Sequence, residues 1–154
     1  MISSPQIEEL TRPDQLDQAF LVLKELRPHL TRESYNQIYQ AARRSDHYTF
    51  VGVFEEGRCT ALMGYRILYD FVHGKHLYID DLVVTKASRS QGMGAELLRY
   101  AEEKAWETQC VGLRLCTGVD NEPGRRFYER EHWELKAVAY KKKVDVSPDP
   151  AKST

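Results

Sequence analysis

The stretch Leu82-Val83-Val84-Thr85-Lys86-Ala87-Ser88-Arg89-Ser90-Gln91-Gly92-Met93-Gly94-Ala95-Glu96-Leu97-Leu98 decides how this chain folds. Leu82, Val83 and Val84 read as the end of a buried strand, and a polar run follows. Gly92 and Gly94 then open a helix reaching about Thr108, with Leu97, Leu98, Ala101 and Ala105 in one apolar stripe at helical spacing. Glycines let a ligand approach the backbone, and the first N–H groups of a helix have no intrahelical partner. Those donors, at the positive end of the helix dipole, suit a phosphate or pyrophosphate. Arg89 adds a fixed charge just ahead of them. The plainer reading is a tight turn whose glycines only permit helix packing. Two other phosphate signatures are absent: no Lys-Ser/Thr follows Gly94, and Leu97 stands where the dinucleotide fingerprint needs a glycine.

Upstream of this stretch, Thr49–Phe54 and Cys59–Tyr69 flank Glu55-Glu56-Gly57-Arg58, a hairpin turn. A loop over Asp70–Lys75 leads into His76–Val84, so three consecutive antiparallel strands are expected. Before them lie an apolar run at Ile7–Leu10 and two amphipathic helices. The first runs from Asp14, with Asp14 or Thr11 as cap, to about Leu26; Pro28 follows it. The second opens at Thr31 and buries Tyr35, Ile38, Tyr39 and Ala42. Downstream, Gly112–Cys116 is a short buried strand reached through a helix, which predicts a right-handed crossover and a parallel pair. Asn121-Glu122-Pro123 starts another helix and Trp133–Lys142 reads as a last strand. The predicted architecture is α+β: one domain over 1–143, a mixed sheet of about six to seven strands with helices on both faces, and a disordered tail over 144–154.

Composition narrows the function. The 154 residues carry 22 Lys+Arg against 23 Asp+Glu, split 9 to 10 before residue 77 and 13 to 13 after it, so neither half is a basic body that would grip nucleic acid. No apolar stretch approaches a membrane span, and the N-terminus lacks the pattern of a secretory signal. Three cysteines, Cys59, Cys110 and Cys116, without a CxxC spacing, are expected to be reduced thiols of a cytoplasmic protein. His73 and His76 stand three apart with no third ligand recognised beside them. They read as loop histidines, and no metal is expected.

Arg89-x-x-Gly92-x-Gly94 after an Asp81-Leu-Val-Val84 strand resembles the acetyl-CoA signature of the GNAT superfamily of N-acetyltransferases. About 30 residues on, Asn121-Glu-Pro-Gly124-Arg-Arg-Phe127-Tyr128-Glu129 is similar to that family's N-x-x-A-x-x-F-Y-E pattern. The order of elements matches from about residue 5 to 142. Two departures stand out. Gly124 replaces an alanine, weakening its helix by up to ~1 kcal/mol. His132 replaces a glycine at the left-handed residue closing that helix, at about 1–2 kcal/mol.

The resemblance implies acetyl-CoA as cosubstrate. The backbone of Gln91, Gly92, Met93, Gly94 and Ala95, with Arg89, would hold its pyrophosphate. Leu82, Val83 and Val84 would pair with the pantetheine amides as if the cofactor were an extra strand. Asn121 would contact the arm, and Tyr128 would point its hydroxyl at the CoA sulfur. Many relatives are dimers, so a homodimer is an expectation of the same kind.

The chemistry also makes demands of its own. A lysine-like amine has a free pKa near 10.4, so its neutral form costs about 4.6 kcal/mol at pH 7. A base or water relay must take that proton. Asp80 is the first choice and Asp81, turned to the opposite face by strand alternation, the alternative; the competing reading of either is a strand-end carboxylate bonded to backbone or arginine. Tyr128, a phenol with pKa about 10, can donate to the departing thiolate, or pack in a core beside Phe127. No cysteine is marked as an acyl carrier. For the acceptor, the resemblance points to the helix pair with His29, Tyr35 and Tyr39 and to the loop Tyr69-Asp70-Phe71-Val72-His73. Asp70, Asp80 and Asp81 with Tyr65, Tyr69 and Tyr78 suit a cationic amine, polyamine- or aminoglycoside-like before a peptide amine. A non-catalytic acyl-CoA-binding or regulatory module on the same fold is the rival reading.

Overall fold

In the computed structural model, which describes residues 5–146, the Leu82–Val84 run ends an eleven-residue strand that organises the sheet. The elements in chain order are β1 (Gln6–Glu9), α1 (Pro13–Leu26), α2 (Arg32–Asp46), β2 (Thr49–Glu55), β3 (Arg58–Asp70), β4 (Gly74–Val84), α3 (Met93–Glu107), β5 (Gly112–Leu115) and α4 (Glu122–Arg130), with a short 3-10 turn at Lys86–Ser88 before α3. The described residues divide into two units, the first ending at Cys116 and the second beginning at Thr117.

In the first unit five strands lie in the order β1-β2-β3-β4-β5. Pairing is antiparallel from β1 to β4, and β5 joins parallel to β4, as the crossover through α3 requires. The helices have local causes. Thr31 caps α2 by accepting from Ser34 N at 3.0 Å, while its own N–H donates to Ser34 Oγ at 3.0 Å. At α1 the cap is neither Thr11 nor Asp14. Buried Gln15 folds back, and its Oε1 accepts from the N–H groups of Thr11 and Arg12 at 2.9 and 3.0 Å.

Two apolar layers sandwich the sheet. Phe50, Phe54, Leu62 and Val83 pack with Phe20, Leu23, Leu30 and Tyr35 of the α1–α2 segment. By strand alternation Val51, Val53, Ala61, Met63, Leu77 and Ile79 face the other way, where α3 lays its buried stripe of Leu97, Leu98, Ala101 and Ala105. Each fully buried leucine or isoleucine contributes roughly 1.5–3 kcal/mol. Two β-bulges interrupt the ladder. Thr60 is the extra residue between the Val53–Ala61 and Phe54–Cys59 pairs, and Asp80 is the extra residue between Gly64–Asp81 and Tyr65–Ile79.

The second unit holds α4 and the chain after it. Asn121 caps the helix, its Oδ1 accepting from Gly124 N at 3.2 Å, and a Cβ at position 124 would press on that same amide. The glycine in place of the family's alanine is thus matched to its neighbour. At the other end His132 adopts φ 68°; its N–H donates to Glu129 O at 3.1 Å, and Trp133 N donates to Tyr128 O at 2.9 Å. This is a Schellman closure with histidine in the left-handed seat.

The sheet has five strands rather than six or seven. The expected final strand, Trp133–Lys142, has no strand pairing, and Leu135, Val138 and Tyr140 are exposed. Apolar alternation makes a segment able to join a sheet, but a strand exists only through the ladder of a partner. Residues 144–146 carry no regular structure, and the rest of the expected tail lies outside the described residues.

Candidate active site

The β4 bulge sets the geometry of a cavity in the first unit. In an unbroken strand Asp80 and Asp81 would point to opposite faces. Because Asp80 is the inserted residue, both carboxylates line one cavity of about 310 Å³ between α1, α2 and the sheet. The alternation expected for Asp81 therefore fails at this point, and the extra residue is the reason.

Each carboxylate has its own arginine. Arg66 grips Asp80 with two parallel bonds, Nε to Oδ2 and Nη2 to Oδ1, both 2.8 Å. Arg27, just past the end of α1, donates from Nε and Nη2 to Asp81 Oδ1 at 3.2 and 3.1 Å. The Tyr48 hydroxyl donates to Asp81 Oδ2 at 2.6 Å, and burial beside that carboxylate holds the Tyr48 phenol well above its ordinary pKa. Asp80 is half-buried. Desolvation raises its pKa above the usual carboxylate value, with Arg66 opposing the rise.

Aromatic rings make the opposite wall. Tyr35 and Tyr39 stack over Phe50, with ring centroids 6.3 and 5.4 Å away, and Tyr48 meets Phe50 edge-on at 5.0 Å. Tyr35 presents only its ring, because its hydroxyl donates to Leu16 O at 2.7 Å. His29 also lines the cavity.

Past the carboxylates, β4 continues as Leu82, Val83 and Val84, which pair on one side with Met63, Leu62 and Ala61 of β3. On the other side the ladder to β5 ends at Ile79–Leu115. No strand covers that edge of residues 82–84 among the described residues. Arg89 follows, its Nε donating to Val84 O at 3.3 Å. Gly92 caps α3 with φ 80°, and the space a Cβ would enter there is open. The first intrahelical bond comes from Glu96 N to Gly92 O at 3.0 Å. The N–H groups of Met93, Gly94 and Ala95 therefore head the helix with no carbonyl of their own turn to bind. The Met93 side chain is buried.

Other expected residues lie elsewhere. Tyr69 and Asp70 sit at the far end of the β3–β4 hairpin, five and six residues beyond Gly64, the partner of Asp81. At the rise of a strand that is about 20 Å from the cavity carboxylates. Tyr78 lies between two of the protein's own guanidinium groups, Arg66 at 5.7 Å and Arg114 at 4.7 Å from its ring. Buried Tyr65 is on the α3 face with Tyr100 and Lys104 beside it. Asn121 and Tyr128 belong to the second unit. The Asn121 side chain is engaged at both ends, capping α4 and donating to Thr117 Oγ1 at 2.9 Å. Tyr128 packs beside Phe127 and Trp133, and burial raises its phenol's pKa.

Sequence reasoning missed Arg27, Arg66 and Tyr48. One signal was present: Gly64 inside an apolar strand, a position that often marks close approach of another group. That group is Tyr48, whose hydroxyl occupies the volume a Cβ at position 64 would need.

A mixed sheet whose parallel pair stops short beside a glycine-capped helix is the frame of an acyltransferase. Residues 7–132 match the model of the Acetyltransferase (GNAT) family, and the chain belongs to that family. It is 28% identical over 139 residues, 90% of this chain and 98% of the relative, to the uncharacterized N-acetyltransferase YhdJ of Bacillus subtilis (strain 168). Among solved structures, AAC(6')-Iy in complex with a CoA-S-monomethyl-acetylneamine bisubstrate analog superposes with a TM-score of 0.79 at 16% identity, covering 92% of this chain and all of that one. A transcriptional regulator from Bacillus halodurans C-125 gives 0.80 at 20% identity with the same coverage of both chains. At these identities the two structures attest the fold.

Proposed function

We propose that this protein moves the acetyl group of acetyl-CoA onto a primary amine by direct attack within a ternary complex. The observation that carries this reading is the double use of β4. Asp80 and Asp81 face the cavity, and the next three residues offer an uncovered backbone edge leading to the glycine cap of α3. One strand therefore links an amine-sized chamber to a phosphate cradle.

On this reading the pantetheine amides run along Leu82, Val83 and Val84. The pyrophosphate rests on the backbone of Gln91, Gly92, Met93, Gly94 and Ala95, with the Arg89 guanidinium beside it. The place of Asn121 on the cofactor arm is the one the family resemblance implies. The entering amine is cationic, and its proton passes to Asp80, directly or through one water. A raised Asp80 pKa makes that carboxylate a better proton acceptor than an ordinary aspartate, and Arg66 leaves lone pairs on both oxygens. Nitrogen attacks the thioester carbon, and the oxyanion forms near Val83, facing the backbone N–H groups that the uncovered edge of β4 presents. The C–S bond then breaks and the acylated nitrogen loses its second proton to solvent, while the thiolate takes a proton from Tyr128, the role the family resemblance gives that phenol. Tyr128 and Asp80 return to their starting protonation by exchange with solvent.

The acceptor is a small cationic amine, polyamine- or aminoglycoside-like. Three lining carboxylates, Asp46, Asp80 and Asp81, against two guanidiniums, Arg27 and Arg66, leave one net negative charge facing aromatic rings. The neamine-based analog bound by AAC(6')-Iy is of the same chemical kind. The unpaired Cys59, Cys110 and Cys116 fit a cytoplasmic setting, and no helix among the described residues is long and apolar enough to cross a membrane.

The test is thiol release from acetyl-CoA across a panel of polyamines, aminoglycosides and peptide amines. Turnover of a small amine supports the proposal. The bidentate clamp of Arg66 on Asp80 favours one rival, a module that binds acyl-CoA without catalysis. CoA binding with every amine inert would establish that rival.

A further inference from the structure

The tip of the β3–β4 hairpin gathers three ligand-bearing side chains on its own. Ligand atoms of Asp70, His73 and His76 all lie within 4.8 Å of one another. His73 Nδ1 is 3.0 Å from both Asp70 oxygens, and His76 Nε2 is 3.9 Å from Asp70 Oδ2, beyond hydrogen-bond length. The two imidazole rings are 5.0 Å apart.

His76 is the telling residue. It is 1% exposed, and its Nε2 has no hydrogen-bond partner among the described residues. Leaving such an atom unmet costs about 1–3 kcal/mol. Its other nitrogen, Nδ1, lies 3.0 Å from Gly74 O. A carbonyl can only accept, so Nδ1 carries the proton and Nε2 presents a lone pair towards Asp70. An N–H held by a backbone carbonyl with the opposite nitrogen free is the usual posture of a metal-ligating histidine. The carboxylate is equally prepared. Asp70 Oδ1 accepts from Val72 N at 3.0 Å and His73 N at 2.6 Å, fixing its orientation.

We infer that Asp70, His73 and His76 form a binding site for a divalent transition-metal ion of the zinc type, with one position open to solvent. Two imidazoles and one carboxylate suit such an ion better than calcium or magnesium, which take oxygen ligands. Tetrahedral bonds of about 2.0–2.1 Å place ligand atoms about 3.3 Å apart, so the observed spread closes with side-chain rotation of roughly 1.5 Å. The ion replaces the hydrogen bond between His73 and Asp70; His73 moves its proton to Nε2, and no oxidation or group transfer is involved. His73 and Asp70 are partly exposed while His76 is buried, so the ion enters from solvent and is anchored from within. Its effect is to fasten a turn whose Phe71 and Val72 stand exposed. Asp70, three residues before His73, supplies the third ligand that the histidine pair alone lacks.

The test is a ZnCl2 titration of the full-length, untagged, reduced protein against a chromophoric chelator, beside Asp70→Asn and His73→Ala. Both positions are partly exposed, so both variants should fold, and circular dichroism checks that they do. One zinc ion per chain is expected in the unsubstituted protein, with affinity reduced at least about 10–100-fold in each variant. Zinc should also raise the Tm of the unsubstituted protein and leave that of His73→Ala unchanged. Equal affinity in all three proteins, as adventitious binding at the thiols would give, overturns the inference. So does the absence of zinc binding.

Discussion

Tyr48 and Gly64 share one volume: the phenol hydroxyl lies where a side chain at position 64 would begin, and from there it donates to Asp81 at 2.6 Å. Gly64→Ala should therefore push the ring away from the carboxylate. The expected result is a loss of about 1–3 kcal/mol in urea denaturation, from overpacking at a buried site, together with a raised KM for the amine. Tyr48→Phe separates the two effects, since it keeps the ring and removes the bond to a charged group, at about 1.5–3 kcal/mol. A Gly64→Ala protein as stable as the parent would show that the contact is not binding.

Asp80 gives a pH signature. Its carboxylate must be ionised to receive the amine's proton, and burial places its pKa above the usual aspartate value. Activity should thus fall on acidification through that raised pKa and be constant above it until other groups titrate. In Asp80→Asn this acid limb should vanish and kcat/KM drop by about 10²–10⁴. An unchanged pH profile in Asp80→Asn would remove the residue from the proton path.

Tyr128→Phe deletes one hydroxyl and keeps the packing against Phe127 and Trp133. Turnover is expected to fall by about 10²–10⁴ while acetyl-CoA affinity, measured by calorimetry, barely changes. If kcat is unaffected, the leaving thiolate takes its proton elsewhere.

Gly92→Val attacks the cradle twice. Its φ of 80° strains any branched residue, and the new side chain would enter the open space proposed for the phosphates. CoA binding should be lost in a protein whose circular dichroism is unaltered. Retained affinity would move the cofactor away from α3.

His132→Gly should stabilise. The left-handed φ of 68° costs an L-residue about 1–2 kcal/mol, and the Schellman bonds that enforce it are backbone bonds a glycine can also make. A higher urea midpoint at unchanged slope is the expected reading; no gain would mean the imidazole makes up the difference.

Most helices and strands were legible because their cause is local. The stripe of Leu97, Leu98, Ala101 and Ala105 has helical period, and Thr31 and Asn121 carry oxygens that cap. The Gly92 turn was legible for the same reason. The meeting of Asp80 with Asp81 was not, since it depends on one unpaired residue in a ladder between strands. Arg27 and Arg66 reach their carboxylates across 54 and 14 positions of chain, a relation no window of sequence holds. The last strand was misread because alternation reports what a segment could bury, while pairing decides whether it does.

The extra residue at Asp80 acts as a sorting device. Had β4 kept a faultless ladder opposite β3, one of two adjacent acids would have turned into the apolar layer beneath α3, among Met63, Leu77 and Leu97. An ion stranded there would lose several kcal/mol of hydration with no cation to answer it. Deleting Ile79 would therefore do more than shorten the strand: with the ladder made even, Asp80 would take its place opposite Tyr65, exchanging a charged chamber for a poisoned core.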